Sequence, residues 1–130
     1  MSDFVVYHKA EKMGYPALKI HKLGIYTKKP VNGIKGSRVW IIAGEGSPRK
    51  YYLRATFLVG SVEPSDRIDF KSRVNGTDGQ LLDPMPLLNA ESWFPAFLER
   101  QGNFAFGFCP INDPAVIEAL KKILLTNTLR

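Results

Sequence analysis

Few side chains in this sequence have the type and spacing to act as nucleophile, general base or metal ligand. The two histidines, His8 and His21, and the single cysteine, Cys109, lack the compact spacing of a metal site, so no metal is expected. Cys109 has no partner for an internal disulfide. It ends the apolar run Phe106-Gly107-Phe108-Cys109, which fits a small buried hydrophobe better than a reactive thiol. Phosphate loops of the Walker type, a dinucleotide fingerprint and a GxSxG elbow are all missing. Gly44-Glu45-Gly46-Ser47 is rich in glycine but lies between two strand-like runs instead of before a helix, so it reads as a turn. Asp66 and Asp69 fall in a breaker-rich stretch and read as a solvated pair. No catalytic residue and no cofactor are therefore assigned.

What remains is the chemistry of binding. Trp93 lies between Asn89 and Pro95 beside the polar Glu91 and Ser92, and a tryptophan so placed can stack on a flat ring. Base-on-aromatic stacking contributes roughly 1–3 kcal/mol. Packing at the rim of the core is the other reading of Trp93, and Trp40, in an apolar run, fits the core better still. Asn89, Gln101 and Asn103 are amides near these rings, able to pair two hydrogen bonds with a base edge. Gln101 and Asn89 serve equally well as helix-terminus residues, and both readings stay open. His8 and Lys9, at the end of the first strand-like run, are candidates to line the same site, and His8 reads equally as a satisfied strand histidine.

The charge is uneven. The net charge is +6, yet residues 1–50 carry ten Lys and Arg against three acids while residues 51–130 carry eight against nine. A basic half is the footprint of a phosphate-backbone binder, although a solvated face produces the same count.

The elements that must position these groups follow from pattern. At 130 residues, 45% hydrophobic and 23% charged, the chain has the size and composition of one folded domain spanning 1–130. Phe4 to His8 is a short β-prone run. Residues 10–35 form a long basic excursion with a short helix at most, around Pro16 to Leu23. Arg38 to Ala43 and Tyr51 to Glu63 alternate with period two about a Gly/Pro-rich turn and predict a hairpin. In the second strand Tyr51, Leu53, Ala55, Phe57 and Val59 are expected on one face, and Tyr52, Arg54, Thr56 and Leu58 on the other. A short edge strand is expected within residues 66–74, then a turn at Asn75-Gly76-Thr77-Asp78-Gly79. Residues 81–88, holding Pro84 and Pro86, should be extended but not a central strand. Pro95 to Arg100 fits a short helix ended by Gln101-Gly102, and Asn103 to Phe108 alternates like a strand. Asp113 caps a last helix begun by Pro114, with Val116, Ile117, Leu120, Ile123 and Leu124 as its apolar stripe. The opening residues lack a basic region followed by a long apolar stretch, and no window reaches the length of a membrane span. No membrane association and a cytoplasmic location are therefore expected.

The order of elements carries a resemblance. A first strand ending in Tyr7-His8, a basic excursion, and Gly36-Ser37-Arg38-Val39-Trp40-Ile41-Ile42 turning into Tyr51-Tyr52-Leu53-Arg54-Ala55-Thr56-Phe57 and Ser61-Val62-Glu63 together resemble the PUA-like superfamily of EVE, ASCH, YTH and SRA domains. The segment from Trp93-Phe94-Pro95 to Phe108 resembles the closing portion of EVE-like domains and of small domains beside HNH nucleases in bacterial defence proteins. Many EVE domains open with a tryptophan-bearing strand where this chain has Tyr7-His8.

The resemblance implies an α+β, mainly β fold: a small PUA-like β-barrel with flanking short helices, a C-terminal helix, and an end pocket for a flipped or modified base. Flipping costs a few kcal/mol of unstacking, offset by stacking and edge hydrogen bonds in the pocket. By position Tyr7, His8, Trp40 and Trp93 would wall that pocket, and Ser37, Asn89 and Gln101 would read the base edge. Lys9, Lys12, Lys22, Lys28, Lys29 and Arg38 would hold the phosphates. The expected partner is DNA or RNA, with a protein partner such as a nuclease supplying any catalysis. Two other functions fit the residues. One is a protein-interaction accessory using the aromatic, proline-rich residues 81–97. The other is a small ASCH-type hydrolase or ribonuclease with Lys22, Thr27 and Glu45 about one pocket.

Overall fold

β-Branched and aromatic residues dominate the two runs about the Gly44 turn, and in the computed structural model they form the expected antiparallel hairpin. The structure describes residues 3–9, 24–27, 33–46, 48–66, 68, 70–82, 84–101 and 108–128. The hairpin strands are β3 (Arg38–Glu45) and β4 (Lys50–Pro64), and Gly46 takes a positive φ of 79° in the turn between them. With β1 (Asp3–Lys9), β2 (Gly24–Thr27), β5 (Ser72–Leu81) and β6 (Cys109–Pro110) they build one six-stranded sheet in the order β2-β5-β4-β3-β1-β6. The fold is mainly β, a sheet curled into a half-barrel with, among the described residues, two helices, α1 (Phe94–Arg100) and α2 (Pro114–Thr128).

β1 pairs with β3 in parallel, Tyr7 opposite Ile42. Parallel neighbours cannot be joined by a tight turn and need a long crossover. That requirement accounts for the length of the basic excursion, which is not wholly irregular. Its residues 24–27 form β2 at the far edge of the sheet, antiparallel to β5. The short helix expected over residues 16–23 lies outside the described residues, as do residues 103–107 of the alternating run 103–108; Phe108 is described and buried.

Two expectations along β4 and β5 are corrected. Ile41 pairs with Ala55 and Ile42 with Leu53, so Arg54 is an extra residue in the ladder. A bulge of this kind reverses the alternation beyond it. Leu53 consequently joins Trp40 and Ile42 on one face, while Ala55, Phe57 and Val59 join Val39 and Ile41 on the other. The single face expected for Tyr51 to Val59 is thus split at Arg54, whose Nη1 donates to the Leu82 carbonyl at 2.7 Å.

The second correction concerns residues 66–79. The Ser65 N–H donates to the Lys71 carbonyl, and the described residues between them, Asp66, Ile68 and Phe70, belong to no strand, with Ile68 fully exposed. Asn75 to Gly79, expected as a turn, lies inside β5. Register shifts leave Gly60 unpaired on β4 and Asp78 and Gly79 opposite Phe57. Asp78 takes φ 46°, and the Phe57 ring packs on Gly76, where a Cβ would collide with it. The turn-forming residue types serve two bulges, and bulges are what bend a sheet into a half-barrel.

Each face of the sheet carries a buried cluster. On the inner face Val6, Ile25, Val39, Ile41, Phe57, Val74 and Phe108 form one cluster. On the other, α1 and α2 bring Phe94, Phe97, Val116 and Leu120 onto Val5, Trp40, Ile42 and Leu53. The last helix forms as its pattern predicts: Asp113 Oδ1 accepts the Ala115 N–H at 3.0 Å, and Val116 and Leu120 are buried. Pro95 occupies the first turn of α1, and Gln101 caps its end. Residues 86–88 run along β4, the Leu53 N–H donating to the Pro86 carbonyl and the Leu88 N–H to the Tyr51 carbonyl, and so stay at its margin. Cys109 is half-buried in β6. No helix among the described residues is long and apolar enough to cross a membrane.

Candidate functional site

The hairpin end of the sheet gathers a row of aromatic rings. Tyr7 comes from β1 and Tyr51 from the start of β4, with ring centroids 5.8 Å apart. Tyr51 lies 5.4 Å from Phe94 in α1, and Phe94 lies 5.8 Å from Trp93 with the rings nearly perpendicular. Tyr7, Tyr51 and Trp93 are half-buried, whereas Phe94 is 2% exposed. The row therefore rests on a buried ring and keeps three partly accessible ones at its rim, two with a hydroxyl and one with an indole N–H.

Polar groups hold the row in place. The Arg49 guanidinium donates to the Tyr7 hydroxyl, so a cation stands at one end. Asn89 Oδ1 accepts the Tyr51 N–H at 2.6 Å. Because that donor is a main-chain N–H, the amide orientation follows, and Asn89 turns its Nδ2 away from the strand. Trp93 is the N-cap immediately before α1, its carbonyl accepting the Phe97 N–H at 3.2 Å, and its ring also meets Phe97 edge-on at 5.9 Å.

Of the residues expected at the site, the structure brings Tyr7, Asn89 and Trp93 together. It keeps three others apart. Trp40 is fully buried under the helices, its Nε1 donating to Asp3 Oδ2 at 2.8 Å, so its ring cannot wall an open pocket. Ser37 is buried at the opposite end of β3, seven residues or about 23 Å of strand from Gly44. Gln101 terminates α1, about 12 Å along the helix from Trp93. Tyr51 and Arg49 belong to the cluster although sequence patterning counted Tyr51 as an ordinary strand residue. Their signal was proximity to the turn that also places Tyr7.

The cations expected on phosphate are placed less fully. Arg38 is engaged internally: its Nη1 donates to Thr56 Oγ1 at 3.2 Å and its guanidinium lies 5.7 Å from the Trp40 ring. Lys12, Lys22, Lys28 and Lys29, and the side chains of His8 and Lys9, lie outside the described residues. The catalytic grouping of Lys22, Thr27 and Glu45 is not assembled. Thr27 pairs with Ser72 and so with Pro64 at one end of β4, whereas Glu45 pairs with Lys50 at the other. Among the described residues no three His, Cys, Asp or Glu side chains are grouped to hold a metal ion, and no buried side-chain polar atom lacks a partner. No protein-family model, curated protein or solved structure matches this chain.

Proposed function

We propose that this chain is a non-catalytic nucleic-acid-binding module of PUA-like form that stacks a flipped or modified base of DNA or RNA against the aromatic row at the hairpin end of its half-barrel. The observation that carries this reading is the set of half-buried rings Tyr7, Tyr51 and Trp93, joined through Phe94 and flanked by Arg49. Planar faces beside a fixed cation are what an unstacked base requires, and stacking contributes roughly 1–3 kcal/mol per base. The excess of positive charge in residues 1–50 supplies the long-range attraction to a polyanion. A nuclease or other effector would then be a separate protein that this module brings to its target.

Fluorescence anisotropy with labelled single- and double-stranded DNA and RNA, carrying plain, 5-methyl- or 5-hydroxymethyl-cytosine, tests the assignment. Binding that favours one modified base and persists at high salt is the expected result. Binding that ignores the base and vanishes with salt would remove the base pocket. No binding at all would move the aromatic rim to a role in protein contact.

A further inference from the structure

A second arrangement lies on the outer face of the sheet, away from the aromatic row. Three strands present two cross-strand rows there: Tyr26, Arg73 and Glu63 in one, and Gly24, Asn75 and Ser61 in the next. The residues between them, Ile25 and Val74, point inward to the core, so these rows lie on the opposite face, where Ser61 and Glu63 are exposed, Tyr26, Arg73 and Asn75 half-buried, and Gly24 buried.

Arg73 is held from several sides. Its guanidinium lies 4.7 Å from the centroid of the Tyr26 ring. Its Nε donates to Asn75 Oδ1 at 3.2 Å, and Asn75 Nδ2 in turn donates to Ser61 Oγ at 3.2 Å. Tyr26 is itself anchored, its hydroxyl donating to Asp66 Oδ1 at 2.8 Å and its ring 5.6 Å from Phe70. Gly24 completes the seat, because a Cβ there would come within 2.5 Å of Arg73 Nη2 and 2.9 Å of Cζ.

Nε is taken by Asn75 and Nη2 lies against Gly24, while among the described residues neither terminal amino group has a hydrogen-bond acceptor. Glu63 is the direct cross-strand neighbour of Arg73, yet among the described residues no carboxylate forms an ion pair with Arg73. The side chain turns toward Tyr26 and away from the available acid. A rigid planar fork of N–H donors, with its rotamer already chosen, matches the geometry of a phosphate and loses little entropy on binding one.

We infer that the outer face of β2, β5 and β4 carries a phosphate contact of the nucleic-acid strand, with the terminal amino groups of Arg73 gripping one phosphodiester. This rests on the nucleic-acid reading above and assigns a backbone contact where the sequence had pointed only to the N-terminal lysines and Arg38. Glu63 acts as a standing repulsion next to that phosphate. Tyr26, Asn75 and Gly24 are positioning residues.

The test uses labelled oligo-thymidine and oligo-uridine, whose uniform bases isolate backbone contacts, titrated over a range of salt. Arg73→Gln should weaken binding roughly tenfold and lower the salt slope by about 0.7, the share of one phosphate on a single strand. Arg73→Lys should keep most of the slope while losing part of the affinity, since the charge stays and the fork does not. Glu63→Gln, which removes an exposed charge without touching the seat, should tighten binding a few-fold, a gain that loss of folding cannot imitate. If the wild-type chain binds and both Arg73→Gln and Glu63→Gln leave affinity and slope unchanged, the phosphate contact is wrong while the base site stands. If the wild-type chain binds neither these probes nor the modified-base panel, the nucleic-acid reading itself falls.

Discussion

Tyr7 lies across Gly44 on the neighbouring strand, so close that a Cβ at position 44 would come within 2.7 Å of Tyr7 Cζ. The bare backbone of Gly44 is the floor on which the phenol rests, and the Arg49 guanidinium closes over the hydroxyl from the far side of the turn. Gly44→Ala should therefore displace Tyr7, break the bond to Arg49 and destabilise the fold by about 1–3 kcal/mol. Denaturant melts of a double-mutant cycle check it: Gly44→Ala should cost much less in a Tyr7→Ala background, because the clash is then gone.

Gly76 and Gly79 both face Phe57, but they differ in what they touch. A Cβ at position 76 meets the Phe57 ring, and one at position 79 comes within 2.6 Å of Phe57 Cα in the β4 main chain. A side chain can move and a paired strand cannot. Gly76→Ala should lower stability by about 1–3 kcal/mol and be partly rescued by Phe57→Leu. Gly79→Ala should cost more, and Phe57→Leu should not recover it. Unfolding midpoints of the four variants decide the matter.

The Trp40 indole is buried and donates to Asp3 Oδ2 at 2.8 Å. Trp40→Phe keeps a ring in the core but leaves the part-buried Asp3 carboxylate without its donor. A loss of about 1–3 kcal/mol is expected, the cost of an unsatisfied polar group. Adding Asp3→Leu should return part of it, measured by urea denaturation.

Asp113 ties the two helices together, accepting from Arg100 Nη1 at 2.7 Å and from the Ala115 N–H at 3.0 Å. The Arg100 side chain, then the main-chain N–H of Ala115, hold its carboxyl below the ordinary aspartate value of 3.8. A depressed folded value means that the unfolded chain takes up the proton first as pH falls. The contribution of Asp113 is thus fully present above its unfolded value and is lost as pH drops through its folded one. Wild type should exceed Asp113→Ala in stability by a constant margin at neutral and mildly acidic pH. That margin should shrink below about pH 4, followed by denaturant melts across the acid range.

Trp93 and Tyr51 offer the base-stacking test. Trp93→Ala and Tyr51→Ala should each weaken binding to the preferred oligonucleotide by about 1–3 kcal/mol while leaving the salt slope unchanged, since neither carries charge. A fall in slope equal to that expected for an arginine would show that the rings act only by supporting cations. Anisotropy titrations at several salt concentrations separate the two.

The local signals in the sequence were sound where short-range chemistry decides the structure. Period-two alternation about a glycine-rich turn marked β3 and β4, because such a hairpin needs no distant partner. Asp113 and Pro114 marked the start of α2, since capping is settled within one turn. Pro95 did the same for α1. The mainly β class followed from these elements.

Long-range pairing was not legible. Asn75-Gly76-Thr77-Asp78-Gly79 has the composition of a turn, and only its partner strand shows why it bends instead of reversing: Phe57 packs on Gly76 across the ladder. Arg54 reads as a regular member of the face of Tyr52, Thr56 and Leu58 until its displacement from the ladder between Ile41 and Ile42 is known. Trp40 and Ser37, chosen for a pocket, are buried because β3 lies in the interior of the sheet, flanked by β1 and β4. Gly24, Tyr26 and Arg73 stand almost fifty residues apart from first to last, and nothing in their neighbours in sequence pairs them. Residue type and local spacing settled which segments became strands and helices and where the charge lies. Strand order, register and bulges, which depend on contacts between distant segments, settled which side chains meet.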